Sequence, residues 1–337
     1  MNTHKSGLRG SFRSAKIKAV NPQKNSVRME FGEVADIRAE LDIELDLWFK
    51  QNHGKVNELL QQYGVIRFRG FNSTRLQDFI RFKTVAFDRP MDYTDASSPR
   101  TEIDKQVYTS TDYPAEESIH MHCELSYSHN WPAKLAFFCE KPAESGGATM
   151  VADTRKVLHS LPEAIQNKFR RYGVHYCRFL TEEAGLSWTQ VFGTDDKRRV
   201  EEYCCRNDID FKWETENSLR IEWNRPAIRR HPVTKEEVWF NHSSFFHKLA
   251  LPSIVRDVIS EKDLPFSTCY GDGSVISPDE FSEIRKAYDS SLFDVVWEEG
   301  DVLFVDNLLM AHGRRSFKGT RKVRVSMGDP MSDRNFN

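Results

Sequence analysis

The chain has 337 residues, 39% of them hydrophobic, and a formal net charge of −2. That composition, with 23 Phe and 7 Trp, supplies a large core and excludes a disordered chain. The near-neutral charge excludes a general attraction to nucleic acid or membrane, and no apolar run approaches transmembrane length or the core of a signal peptide.

Residues 1–28 read as a flexible basic arm. The first acidic residue is Glu30, and Lys5, Arg9, Arg13, Lys16, Lys18 and Lys24 precede it. An organelle presequence is the alternative reading of this acidic-poor start, disfavoured because the stretch has little amphipathic periodicity. The remainder, 29–337, reads as one domain. Residues 35–62 have a helical pattern, with Ile37, Leu41, Leu45, Trp48, Val56 and Leu59 on the apolar side and a break at Gly54. Val65 to Phe71 alternates as a strand, and Ser73 is placed to cap a helix reaching about 86. The polar, Pro-containing stretch 88–118 reads as a long loop. Strands are expected near 118–126, 134–140 and 149–152, with Asp153 capping the next helix. Charged residues crowd 193–217 and suggest a solvated helix, so a helical insertion is expected around 153–217. Strands resume near 219–222, 228–231 and 237–241. Ser277-Pro278-Asp279-Glu280 opens a helix, and strands at 293–297, 301–306 and 321–327 close the chain. Strands and helices do not alternate as βαβ units. The expected class is therefore mostly β with helices (α+β), an antiparallel double-sheet barrel with flanking helices.

The six cysteines form no CxxC pair, and adjacent Cys204 and Cys205 do not suggest a disulfide framework. Free thiols in a reducing, cytoplasmic compartment are the expectation.

His122-Cys123-Glu124 carries the chemistry. On a strand, residues 122 and 124 share a face, so an imidazole and a carboxylate can reach one divalent ion. Alone, such a pair is a weak signal, and His120 could make the run an ordinary polar face. The distal segment strengthens it. Gly300 to Asn307 is a turn into a buried strand, followed by His312-Gly313-Arg314 and then Arg321. A second imidazole there would complete a two-His-one-carboxylate set suited to non-haem Fe(II); the alternative is that His312 is a core histidine and Arg321 a surface residue. A guanidinium beside it can grip a carboxylate bidentately. Met310 and the Phe245-Phe246 pair read as core, and Arg229 and Arg230 as a solvated strand face.

The sequence here resembles the taurine dioxygenase-like (TauD/TfdA) family of Fe(II)/2-oxoglutarate dioxygenases. The likeness is closest to its amino-acid-hydroxylating branch, typified by an aspartyl β-hydroxylase. It rests on Tyr63 to Phe71, Pro99-Arg100-Thr101, Val107 to Pro114, His122 to Tyr127, Gly146-Gly147-Ala148-Thr149, His231-Pro232, Trp239-Phe240-Asn241 and Asp306-Asn307 through Arg321. The resemblance implies a double-stranded β-helix (jelly-roll) barrel. It also implies Fe(II) held by His122, Glu124 and His312, with 2-oxoglutarate as cosubstrate and O2. Thr149 would bond 2-oxoglutarate and Arg321 its distal carboxylate. Arg324 is the rival, of opposite strand parity. Candidate substrate contacts are Tyr108, Ser110, His120 and Asn241. The implied substrate is amino-acid-like, either free or presented by a peptidyl carrier protein. Related halogenases have a small residue where Glu124 stands, so the implied outcome is hydroxylation, or desaturation or epoxidation by the same chemistry. Two readings of other classes stand beside it: a non-oxidising, cupin-like metal hydrolase or isomerase, and a non-catalytic protein that kept the fold.

Overall fold

Short alternating runs build two sheets whose inner faces share one core. The computed structural model describes residues 27–93, 100–110, 113–182, 185–251, 256 and 259–333. The larger sheet runs Val27–Phe31, Ala35–Ala39, Val65–Arg69, Val302–Asp306, Asn130–Lys141, Lys322–Ser332, Val107–Thr109, Glu102–Asp104. Pro90–Met91 pairs beside Lys322–Ser332. The smaller sheet runs Leu292–Val295, Thr149–Asp153, Met310–Arg314, Ile119–His122. Successive strands pass between the sheets. Ile119–His122 is in the smaller, Asn130–Lys141 in the larger and Thr149–Asp153 in the smaller. The second circuit is Leu292–Val295, Val302–Asp306, Met310–Arg314 and Lys322–Ser332, again alternating. This winding is a double-stranded β-helix, the barrel expected.

Helices Leu45–Gln51, His53–Tyr63 and Leu76–Ala86 cover the outer face of the larger sheet. There Trp48, Phe49, Phe79 and Phe82 pack with Phe68, Phe138 and Phe304. Phe49 meets Phe82 edge-on at 5.1 Å and Phe304 at 5.6 Å between ring centroids. Such rings contribute about 2–3 kcal/mol each by burial. Covered on both faces, Val302–Asp306 is buried at every position, which fixes the strand that leads to His312.

Several expectations need correction. Residues 1–26 of the expected arm lie outside the described residues, and Val27–Phe31 is a strand. The helix expected over 35–62 begins only at Leu45. Ala35, Ile37 and Ala39 are buried while Asp36 and Arg38 are not, a period of two that a helical window absorbed. Ser73 caps nothing. Its Oγ donates to Gly300 O at 2.8 Å, and the helix starts at Leu76 behind an Arg75–Asp78 capping pair. Among its described residues the stretch 88–118 contains three short strands, and 153–217 is not purely helical. Val174–Leu180 and Asp210–Trp213 join Leu219–Arg225 and Phe266–Tyr270 in a third sheet. Even the charged helix Lys197–Arg206 buries Val200 and Cys204. The caps at Asp153 and Ser277 form as expected. Among the described residues, no helix is long and apolar enough to cross a membrane.

Candidate metal centre

Residues directly opposite in an antiparallel ladder share a face. His122 ends its strand directly opposite His312 on Met310–Arg314, and their ring centroids lie 4.5 Å apart. Glu124 follows just beyond the strand end, where Asn307 fixes its backbone. The Asn307 amide donates to Glu124 O at 2.9 Å and Pro132 O at 2.8 Å, and its Oδ1 accepts from Glu124 N at 2.7 Å. Leu125, at φ +54°, then turns the chain away. The donor atoms of His122, Glu124 and His312 consequently lie within 4.8 Å of one another, and all three side chains are buried.

Their protonation suits a cation. His122 Nδ1–H donates to His120 O at 2.8 Å, which leaves Nε2 as a free lone pair. Burial, reinforced by His312, pulls His122 down to about 3, so the ring is neutral at pH 7. Burial pulls the Glu124 carboxyl up, but Arg100, His312 and His122 outweigh it and hold the group well below the carboxylate range. Arg100 Nη2 donates to Glu124 Oε2 at 2.5 Å. Two imidazoles and one carboxylate, with His312 Nδ1 buried and unpartnered among the described residues, are a donor set that fits divalent iron. Behind them His242 packs 5.5 Å from His122 and pairs its Nδ1 with Ser126 Oγ at 2.7 Å.

One cavity opens beside these donors. Its lining includes Arg100, Ser110, Ile119, Phe137, Thr149, Arg314 and Arg321 as well as His122 and His312. Arg321 donates from Nε to Gly147 O at 3.0 Å, from Nη1 to Ser110 Oγ at 3.3 Å and from Nη2 to Thr149 Oγ1 at 3.5 Å. No carboxylate among the described residues meets it. Burial, and then Arg314, push its guanidinium down to about 10, still charged at pH 7. Arg314 spends its own donors on the carbonyls of Tyr113, Pro114 and Glu117. Arg324 is elsewhere. It pairs across the sheet with Phe138 on the outer face, and its Nε donates to Glu140 Oε2 at 2.7 Å.

The substrate candidates separate. Ser110 lines the cavity. Tyr108 does not; its OH accepts from Tyr93 N at 3.1 Å. Asn241 is a structural amide, donating to Ala227 O at 2.9 Å and accepting from Ser243 N at 2.9 Å. His120 faces away, although its parity matches that of His122. The register slips between His312↔His122 and Arg314↔Ile119, a bulge that sets Ile119 and His122 inward and turns His120 outward. There His120 Nδ1 accepts from Arg285 Nη1 at 2.8 Å in a second cavity. Met310 and Phe246 are core, but Phe245 is only half-buried and its ring lies 4.8 Å from His122. Arg229 is not solvated: it is buried and paired with Asp333 at 2.5 Å. Sequence reasoning gave no role to Arg100 or Asn307, although both sit in the runs that carry the family likeness.

The family model for the taurine catabolism dioxygenase TauD, TfdA family matches residues 30–327. The chain belongs to that family. It is a 2-oxoglutarate-dependent dioxygenase that uses iron. Its sequence is 36% identical over 294 residues to the dapdiamide synthesis protein DdaC of Enterobacter agglomerans, covering 86% of this chain and 89% of that protein. Among solved structures, PvcB of Pseudomonas aeruginosa aligns with a TM-score of 0.53 at 14% identity over 94% of each chain. AAD-2, solved with Mn(II) and N-oxalylglycine, aligns with a TM-score of 0.55 at 12% identity over 90% of this chain and 96% of that one. At these identities the two structures speak to the fold.

Proposed function

We propose that this dioxygenase hydroxylates an unactivated C–H bond of an amino-acid-like substrate, free or presented by a peptidyl carrier protein, in specialised-metabolite biosynthesis. The observation that carries this reading is one cavity lined by His122 and His312, two of the three clustered metal donors, and by the half-buried Arg321 guanidinium, which has no carboxylate partner among the described residues. In it, His122, Glu124 and His312 hold Fe(II), and Arg321 receives the distal carboxylate of 2-oxoglutarate with help from the Thr149 hydroxyl. Bound together, iron, 2-oxoglutarate and O2 supply the oxidation and release succinate and CO2. The chain's own part is positioning. Gly147 O and Ser110 aim Arg321, Asn307 and Arg100 aim Glu124, and Phe137 with Phe245 keeps the region apolar. Because Glu124 fills a ligand position, oxygen transfer is favoured over halogenation. The similarity to a dapdiamide synthesis protein supports the substrate class.

Anaerobic Fe(II) with 2-oxoglutarate should give a weak visible charge-transfer band that His122→Ala abolishes. Succinate release should then rise with a substrate drawn from free amino acids and carrier-bound aminoacyl thioesters. A chain that gives no band, or gives the same band without His122, is not using this site.

A further inference from the structure

Arg100 holds more binding capacity than its partner uses. Its side chain is 3% exposed and its Nη2 is committed to Glu124 Oε2 at 2.5 Å. Nε and Nη1 are buried and have no hydrogen-bond partner among the described residues. The guanidinium lies over the Tyr93 ring, 4.7 Å from its centroid, and lines the same cavity as His122, His312 and Arg321. A buried N–H left unmade costs about 1–3 kcal/mol, and more on a charged group. Two on one guanidinium therefore mark a position awaiting an acceptor rather than a finished salt bridge. Nη1 lies on the Cδ side of the guanidinium and the Nε–H points to the Nη2 side, so each of these donors offers one charge-assisted bond to a single acceptor oxygen. Charge points the same way. Three guanidiniums line the cavity, those of Arg100, Arg314 and Arg321, against the Glu124 carboxylate beside them. A divalent metal with a dianionic cosubstrate leaves that cationic surplus unchanged.

Resting on the dioxygenase reading above, we propose that Arg100 is the substrate's carboxylate anchor. One of its free donors, Nη1 or Nε, would take an oxygen of a carboxylate of the amino-acid-like substrate while Nη2 keeps Glu124 in place. The substrate is then fixed from the metal's own carboxylate ligand, so its reactive carbon is referenced to the iron. That carboxylate is either the α-carboxylate of a free amino acid or an acidic side chain, and the test separates the two.

The protein is loaded with Mn(II) and N-oxalylglycine, which prevents turnover, and titrated calorimetrically with L-amino acids, their α-carboxamides, and the pairs Asp/Asn and Glu/Gln. The wild-type protein should bind a carboxylate of this panel and reject its amide. Rejection confined to α-amides identifies the α-carboxylate, and rejection of Asn or Gln identifies the side chain. In Arg100→Gln that preference should collapse, with acid affinity down roughly tenfold to a hundredfold. Mn(II) affinity should fall as well, because Arg100 orients Glu124, so every protein is titrated at saturating Mn(II) and N-oxalylglycine, where the acid-over-amide ratio reads the substrate contact. Arg100→Lys keeps a charge without the planar guanidinium that reaches Glu124 and substrate together and should fall between, which covers the case in which the glutamine variant folds poorly. A wild-type protein that binds acid and amide alike, or no carboxylate of the panel, overturns the proposal. So does a loss in Arg100→Gln confined to Mn(II) affinity, which would leave Arg100 a support for Glu124 only. Failure of the wild-type protein to bind Mn(II) and N-oxalylglycine at all would instead bring down the dioxygenase site, and this anchor with it.

Discussion

Arg321 and Arg324 differ by three positions and by everything that matters for binding an anion. In the strand Lys322–Ser332, Val323 and Val325 face the barrel interior with Cys139 and Phe137, while Arg324 faces outward beside Phe138. Arg321 shares the inward parity and arrives beside Thr149 and Ser110, where backbone and hydroxyl oxygens hold it without neutralising it. Arg324 is already neutralised by Glu140. Replacing Arg321 with Met should therefore raise the Kd for 2-oxoglutarate by roughly a hundredfold, about 3 kcal/mol, the scale of a charge-assisted bidentate pair. Arg324→Met should leave it within about threefold. Titration of the anaerobic Fe(II) charge-transfer band measures both, and an equal loss in the two variants would remove Arg321 from its assigned role. Parity on a strand is legible in sequence, and the two arginines do face opposite sides of the sheet. The partner of a buried cation is not: Arg100 reaches Glu124, and Asn307 reaches the backbone of Glu124, only after the barrel closes.

At the scale of elements, the site depends on two irregularities that periodicity does not contain. The first is the bulge between Ile119 and His122, created by pairing with Met310–Arg314, which is why His120 was assigned to the pocket and stands outside it. The second is the turn before Thr149. Gly147 has φ +71°, and a Cβ there would lie 3.1 Å from Arg321 Cδ, Phe317 Cβ and Ala143 Cβ. Gly147→Ala should cost about 1–2 kcal/mol in urea denaturation for the left-handed backbone alone. Because the crowded neighbour is Arg321, it should also weaken 2-oxoglutarate binding several-fold. A variant that loses stability but keeps the wild-type Kd would show that the turn supports the fold without aiming Arg321. The elements that were legible, such as Val65–Arg69, Thr149–Asp153 and Pro278–Ser290, carry either clean alternation or a complete cap. Those that were not, such as Ala35–Ala39 and Val174–Leu180, are strands set against apolar helices or inside charged stretches, where tertiary pairing decides.

At the scale of the whole molecule, the metal donors tie together strands from the two circuits of the double-stranded helix, His122 and Glu124 from the first and His312 from the second. The barrel does not need that tie in order to close. Core residues fill its interior, a second aromatic cluster seals the larger sheet under its helices, and the Glu124 charge is already met by Arg100. The metal-free protein should accordingly unfold cooperatively, unlike small domains whose metal is their core. Metal should then add stability by mass action alone. At a free concentration near a hundred times Kd, binding to the native state contributes about 2.7 kcal/mol. For a chain of this length that is a rise in Tm of about 4 °C, with a further rise when N-oxalylglycine joins. Scanning calorimetry of the EDTA-treated protein with Mn(II) restored measures it. In Glu124→Ala the Mn(II) increment should shrink to near zero, because two imidazoles alone hold a hard cation weakly. A full increment in that variant would place the stabilising metal somewhere other than these three residues, and a metal-free protein without a cooperative transition would mean that the metal closes the barrel after all.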